Sequence, residues 1–197
     1  MKKFFKDYSY NIFRLFLNQF AIALFGIALA FACGRAENTT LRLWTSIFAV
    51  LFYLFLLYAS MWEVGAKDGI RARAKGEAYC LWRGFVMSLC ANALNILLAL
   101  CILPGAFVDG AVKGFSSTCS VLALLLEGMY LGILATPVMG APLNTYAWVY
   151  FVIVLPAVLV TGFAYILGLH DWHATNILIP KNKDVKNNGR PERKKNK

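Results

Sequence analysis

Hydrophobic positions in this chain follow neither the helical nor the strand period. They run together in five stretches, 15–33, 43–62, 84–103, 119–138 and 146–168. Each is long enough to cross a bilayer core, which takes about 20 residues of helix. Together they make up about half of the 197 residues and hold one acidic or basic side chain, Glu127. A core helix of a water-soluble protein keeps a polar stripe where it meets water, and none of these runs has one, so each faces lipid or other helices. In lipid every backbone polar group must be satisfied within the segment or in a closed barrel. Barrel strands alternate in polarity over about ten residues, and stretches such as 47–57 do not. The expected fold is therefore all-α, a polytopic membrane helix bundle.

The punctuation fits these boundaries. Gly34 and the polar residues 37–40 separate the first two runs, Gly65, Gly69 and Gly76 mark an expected second loop, and Pro104 with Gly105 ends the third run. Trp44, Trp62, Trp82, Tyr146 and Trp148 lie near run ends, where amphipathic rings prefer the headgroup region. Pro156 frees the carbonyl of Val152 and predicts a kink in the last run. The chain divides into a basic amino-terminal segment (1–14), a transmembrane bundle (15–168) and a basic tail (169–197). No internal repeat and no soluble domain is visible.

Composition sharpens the picture. Hydrophobic residues are 59% and charged ones 15%, yet 20 Lys and Arg against 10 Asp and Glu leave a net charge of +10. Most of the basic residues fall in residues 1–14, in the second loop (Lys67, Arg71, Arg73, Lys75, Arg83) and in the tail. Cytoplasmic loops collect Lys and Arg, which puts both termini and the second loop inside. That arrangement needs an even number of crossings. The run 119–138 is the one that departs from an ordinary span: it carries Glu127 at its centre, the pair Gly128 and Gly132, and Pro137. The expectation is four full transmembrane helices plus this segment re-entrant or interfacial, with five crossings as the alternative. Ala30, Phe31 and Ala32 before Cys33 resemble a weak signal-cleavage or lipoprotein site, but the run is longer than a usual signal core, and a retained helix is expected.

Candidate chemistry is sparse. Ser88, Asn92 and Asn95 lie on one helix face at i, i+4 and i+7, where amides at bilayer depth need partners; Glu127 is the expected one. This face reads either as interhelical hydrogen bonding or as a polar pathway or small-ligand site. Lys67, Arg71, Arg73 and Lys75 could hold anionic lipid headgroups or an acidic partner, each contributing about 1 kcal/mol beside an anionic leaflet, or could serve topology alone. His170, Asp171 and His173 are too few for a metal centre, since a closed zinc site takes four ligands, and no metal or cofactor is expected. The five cysteines form no C-x-x-C pair; a Cys33–Cys119 disulfide is conceivable by side but has no support from spacing. No nucleophile elbow, metalloprotease motif or phosphate-binding glycine loop appears, and the tail lacks the stacking aromatics that nucleic-acid binding uses.

The spacings Trp62-x-x-Gly65-x-x-Asp68 in a basic inner loop and Gly162-x-x-Tyr165-x-x-Gly168 before a basic tail resemble those of small uncharacterised polytopic membrane proteins of Firmicutes. The likeness covers the second to the last helix. It implies a bacterial inner-membrane location and a cytoplasmic tail, and it carries no activity. The expected function is a non-enzymatic accessory or scaffold membrane subunit that works with the lipid bilayer and other membrane subunits. The alternative is a small transporter component using the face of Asn92, Asn95 and Glu127.

Overall fold

A computed structural model of the chain describes residues 2–35, 38–138 and 140–172. The expectations for His173 and for the tail beyond it lie outside the described residues.

The first run sits within one continuous helix, α1 (Lys2–Arg35), which takes in the basic leader. Helix α2 (Thr39–Lys75) starts where the Asn38 side chain accepts the Leu41 N–H at 3.0 Å, an N-cap that satisfies one orphan donor of the first turn. Its 37 residues span about 55 Å at 1.5 Å each, far more than the roughly 30 Å of a hydrocarbon core. It ends at Gly76, whose φ of +66° lets its N–H turn back to the carbonyls of Ala72 and Arg73, a left-handed cap that glycine adopts without strain. Gly65 and Gly69 therefore do not open a loop as the sequence suggested. They are helical, and the reason lies in their partner: α8 (Leu155–Leu169) passes so closely that a Cβ on Gly65 would strike the Tyr165 carbonyl, and one on Gly168 the Trp62 carbonyl. Glycine costs a helix about 1 kcal/mol relative to alanine, offset here by the backbone approach it permits.

The third run is divided. Helices α3 (Arg83–Ala91) and α4 (Ala93–Ile102) meet at Asn92 with a bend of 57°. The fourth is bent by 91°: α5 (Ala111–Leu126) stops at Glu127, a 3-10 turn covers Gly128–Tyr130, and the short α6 (Leu131–Leu134) follows. A two-residue hairpin, β1 (Pro137–Val138) against β2 (Ala141–Pro142), leads on. The last run is α7 (Val149–Val152) and α8, with Pro156 in the first turn of α8, where the interruption expected from proline falls. Three helical stretches, Phe4–Arg35, Thr39–Lys75 and Val149–Leu169, are long and apolar enough to cross a membrane, and up to five if each bent pair is one span.

The core is built where α2, α3 and α8 meet, around Tyr53, Leu57, Met61, Met87, Tyr165 and Leu169. Outward faces carry Phe48, Phe55, Leu97, Leu122 and Phe163 in the open, more contiguous apolar surface than a water-exposed protein tolerates. The bundle has two distinct ends. At one, Tyr8, Asp68, Arg83 and Tyr165 come together. At the other, Gly132 lies on the Arg42 carbonyl and Gly105 on Ser116.

Candidate functional site

Asp68 lies seven residues before the end of α2 and is 7% exposed. Its Oδ2 accepts the Tyr8 hydroxyl of α1 at 2.6 Å and the Tyr165 hydroxyl of α8 at 2.8 Å. Arg83, opening α3, donates to the Tyr8 oxygen at 3.2 Å and stacks 5.8 Å from its ring centroid, while Arg71 stands 3.9 Å from Oδ1. A buried carboxylate is tolerated only when donors replace its hydration, and here four helices supply or hold them. Tyr8 precedes the apolar run of α1; burial and the adjoining Asp68 carboxylate push its hydroxyl up to about 12. The two short motifs of the sequence thus meet in space: Gly65 and Gly168 bring the backbones together, and that approach sets Tyr165 on Asp68. Spacing alone gave no sign of it, because the partners are 60 and 97 residues away.

Around this junction opens a cleft of about 770 Å³ between the start of α1, the end of α2 and the start of α3. Lys6, Arg14, Lys67, Arg71, Lys75 and Arg83 line it against Asp7, Glu63, Asp68 and Glu77, an excess of positive charge in a concave site. Glu63 holds Lys67 at 2.7 Å and Arg14 at 3.6 Å, exposed pairs that contribute little to stability. Of the four basic residues singled out in the sequence, Lys67, Arg71 and Lys75 face this cleft; Arg73 instead donates to the Gly69 carbonyl of its own helix at 3.2 Å.

The polar face of the third run is buried and closed on itself. Ser88 donates to the Ala157 carbonyl at 3.4 Å, Asn92 to the Ser88 carbonyl at 3.0 Å, and Asn95 to the Asn92 side chain at 3.2 Å. Among the described residues no hydrogen bond joins Glu127 to any of the three. Glu127 sits at the break after α5, 3% exposed, and among the described residues neither its Oε2 nor the Tyr130 hydroxyl has a hydrogen-bond partner. The backbone of the broken segment is satisfied from α2: Ser46 donates to the Met129 carbonyl at 2.6 Å and accepts the Ile133 N–H at 3.3 Å.

The remaining candidates stay apart. All five cysteines are free; Cys33 lies against the Thr45 hydroxyl at 3.5 Å. His170 packs edge-on to Tyr79 with ring centroids 5.6 Å apart, and no group of three or more metal-ligating side chains occurs among the described residues. No family model matches this chain, and no curated protein or solved structure matches it.

Proposed function

We propose that this chain is a non-enzymatic, multi-pass subunit of a bacterial cell membrane, an accessory or scaffold protein that offers its basic cleft to an anionic group of a neighbouring subunit. The observation that carries this reading is the distribution of polar chemistry. The amides at depth are taken up by one another and by a backbone carbonyl of their own run, so they brace the bend between α3 and α4, whereas the open cleft collects six basic side chains at one end of the bundle. The resemblance to small membrane proteins of Firmicutes rests on motifs that meet at that same cleft and agrees with the assignment.

The arrangement favoured is four crossings with 111–134 re-entrant. Two contacts support it: the segment begins beside Gly105, at the end of α4, and returns at Gly132 to the start of α2, both at the end of the bundle away from Tyr8. Basic residues then gather on the inner side, as the loop charges require.

The test replaces Lys67, Arg71 and Lys75 together by Ala in the full chain, followed by purification from native membranes. The reading expects loss of a copurifying subunit with the thermal stability of the protein unchanged. Loss of bound anionic lipid alone reassigns the cleft to the bilayer, and no change in either retires the proposal. A transporter component is the second reading, favoured by the orphan carboxylate of Glu127. It predicts that Glu127→Gln and Asn92→Leu abolish ligand-induced stabilisation or uptake while leaving expression and complex formation intact.

A further inference from the structure

The α-helical ladder of α5 ends where the Glu127 N–H meets the Ala123 carbonyl at 2.9 Å, and the Tyr130 N–H then closes a tighter turn on the Glu127 carbonyl at 2.8 Å. Gly128, next in the chain, rests on Ala23 and Ile27 of α1. Ala23 lies near the middle of the apolar run 15–33, about 18 Å of helix from Arg35 at 1.5 Å per residue. The carboxyl group is therefore placed at mid-depth of the bundle, beside a helix break. Two adjoining side chains there, Glu127 and Tyr130, are more than nine-tenths buried, and each leaves an oxygen without a partner among the described residues. Packing alone does not account for them, because apolar side chains of similar volume would avoid the desolvation cost.

What faces the carboxyl group decides its chemistry. Tyr130 follows three residues on in its own segment, and Tyr53 from α2 and Tyr150 from α7 are buried in the same core. Helix α1 presents Ala23 and Ile27 to the neighbouring Gly128. Among the described residues no ion pair reaches Glu127. A carboxylate buried at that depth without a counter-charge carries a desolvation cost that nothing beside it offsets. A way in exists. At the Arg42 end a vestibule of about 360 Å³ is lined by Lys113, Ser116, Ser117, Ser120, Asn144 and Tyr150. Ser120, seven residues before Glu127 and so on the same face of α5, lines this vestibule together with Tyr150, whose hydroxyl donates to the Asn144 carbonyl at 3.3 Å.

We propose that Glu127 is a proton-binding site in the break of a bent membrane segment, loaded and unloaded from this vestibule past Ser120 and Tyr150. The inference is independent of the basic cleft and adds proton exchange to a subunit otherwise read as a scaffold. Dicyclohexylcarbodiimide tests it, since this apolar reagent forms a stable acylurea with protonated carboxyl groups in apolar surroundings. The full-length protein in liposomes is treated at roughly pH 5 to pH 9, a range across which a carboxylic acid's protonated fraction falls about tenfold per unit above its pKa, and the adduct is located by mass spectrometry. The expected result is modification at Glu127 that falls as pH rises, with Asp68 unmodified, no adduct in Glu127→Gln, and a Ser120→Leu variant that stays modifiable longer after a jump to alkaline pH. Absence of the adduct throughout, or modification independent of pH, overturns the site. Protection by sodium at constant pH also overturns it, by assigning a metal cation instead. An unchanged rate in Ser120→Leu overturns the route.

Discussion

Taking a carboxylate out of water costs several kcal/mol unless its oxygens find donors, and Asp68 finds two hydroxyl groups from helices α1 and α8 on a single oxygen. Hydrogen bonds to a charged group contribute about 1.5–3 kcal/mol each, so Tyr165→Phe is expected to lower unfolding stability in detergent by about that amount. Tyr8→Phe should do the same and also loosen Arg83, whose guanidinium bonds to the Tyr8 oxygen. The alkaline limit gives an independent check. The Tyr8 hydroxyl is raised from 10.0 to about 12, so the stability it confers is complete below pH 10 and is lost as pH climbs through about 12. A thermal-stability profile over that window should fall more steeply for the wild type than for Tyr8→Phe; equal slopes would refute the coupling. The sequence marked Asp68 and Tyr165 in two short motifs but gave no sign that they meet, and it did not mark Tyr8 at all. Asp68 stood among basic residues like any exposed acid of an inner loop, and the tyrosines that bury it sit in distant segments.

At the level of elements, hydropathy was enough to find every long helix, because a bilayer fixes the length of an apolar run whatever its neighbours are. It could not find the breaks at Asn92 and Glu127, which depend on what packs beside them, although Glu127 stood out as the one charge inside a run. Gly65 and Gly69 were misread for a related reason: glycine marks both a loop and a close helix crossing, and only the partner helix distinguishes them. The crossing makes a sharp prediction. Gly65→Leu or Gly168→Leu forces a side chain into an opposing backbone; overpacking of this kind costs about 1–3 kcal/mol or more and should appear as a lower melting temperature. Gly34→Leu, where nothing lies within 4 Å of the added carbon, should leave it unchanged. If all three variants melt alike, the α2–α8 contact is not what holds the bundle together.

For the whole molecule the open question of fold becomes one of sides. If 111–134 dips in and returns, a reporter inserted beside Lys113 reads external while one fused after Lys197 reads internal. Five crossings would place the two on the same side. Loop charges alone pointed to the even number, and the return of the chain from Glu127 to Arg42 supplies a path for it.

The tyrosine pair on Asp68 also bears on the order of synthesis. Tyr8 and Asp68 are both synthesised early, but Tyr165 emerges 97 residues after Asp68. Until α8 arrives, the carboxylate lacks one of its two hydroxyl donors and the glycines of α2 face an empty groove. The nascent bundle therefore carries a visible mark of incompleteness at its basic end, erased only by the last helix. A chain truncated before Tyr165 keeps that mark permanently, and is the form that a membrane protease should remove first.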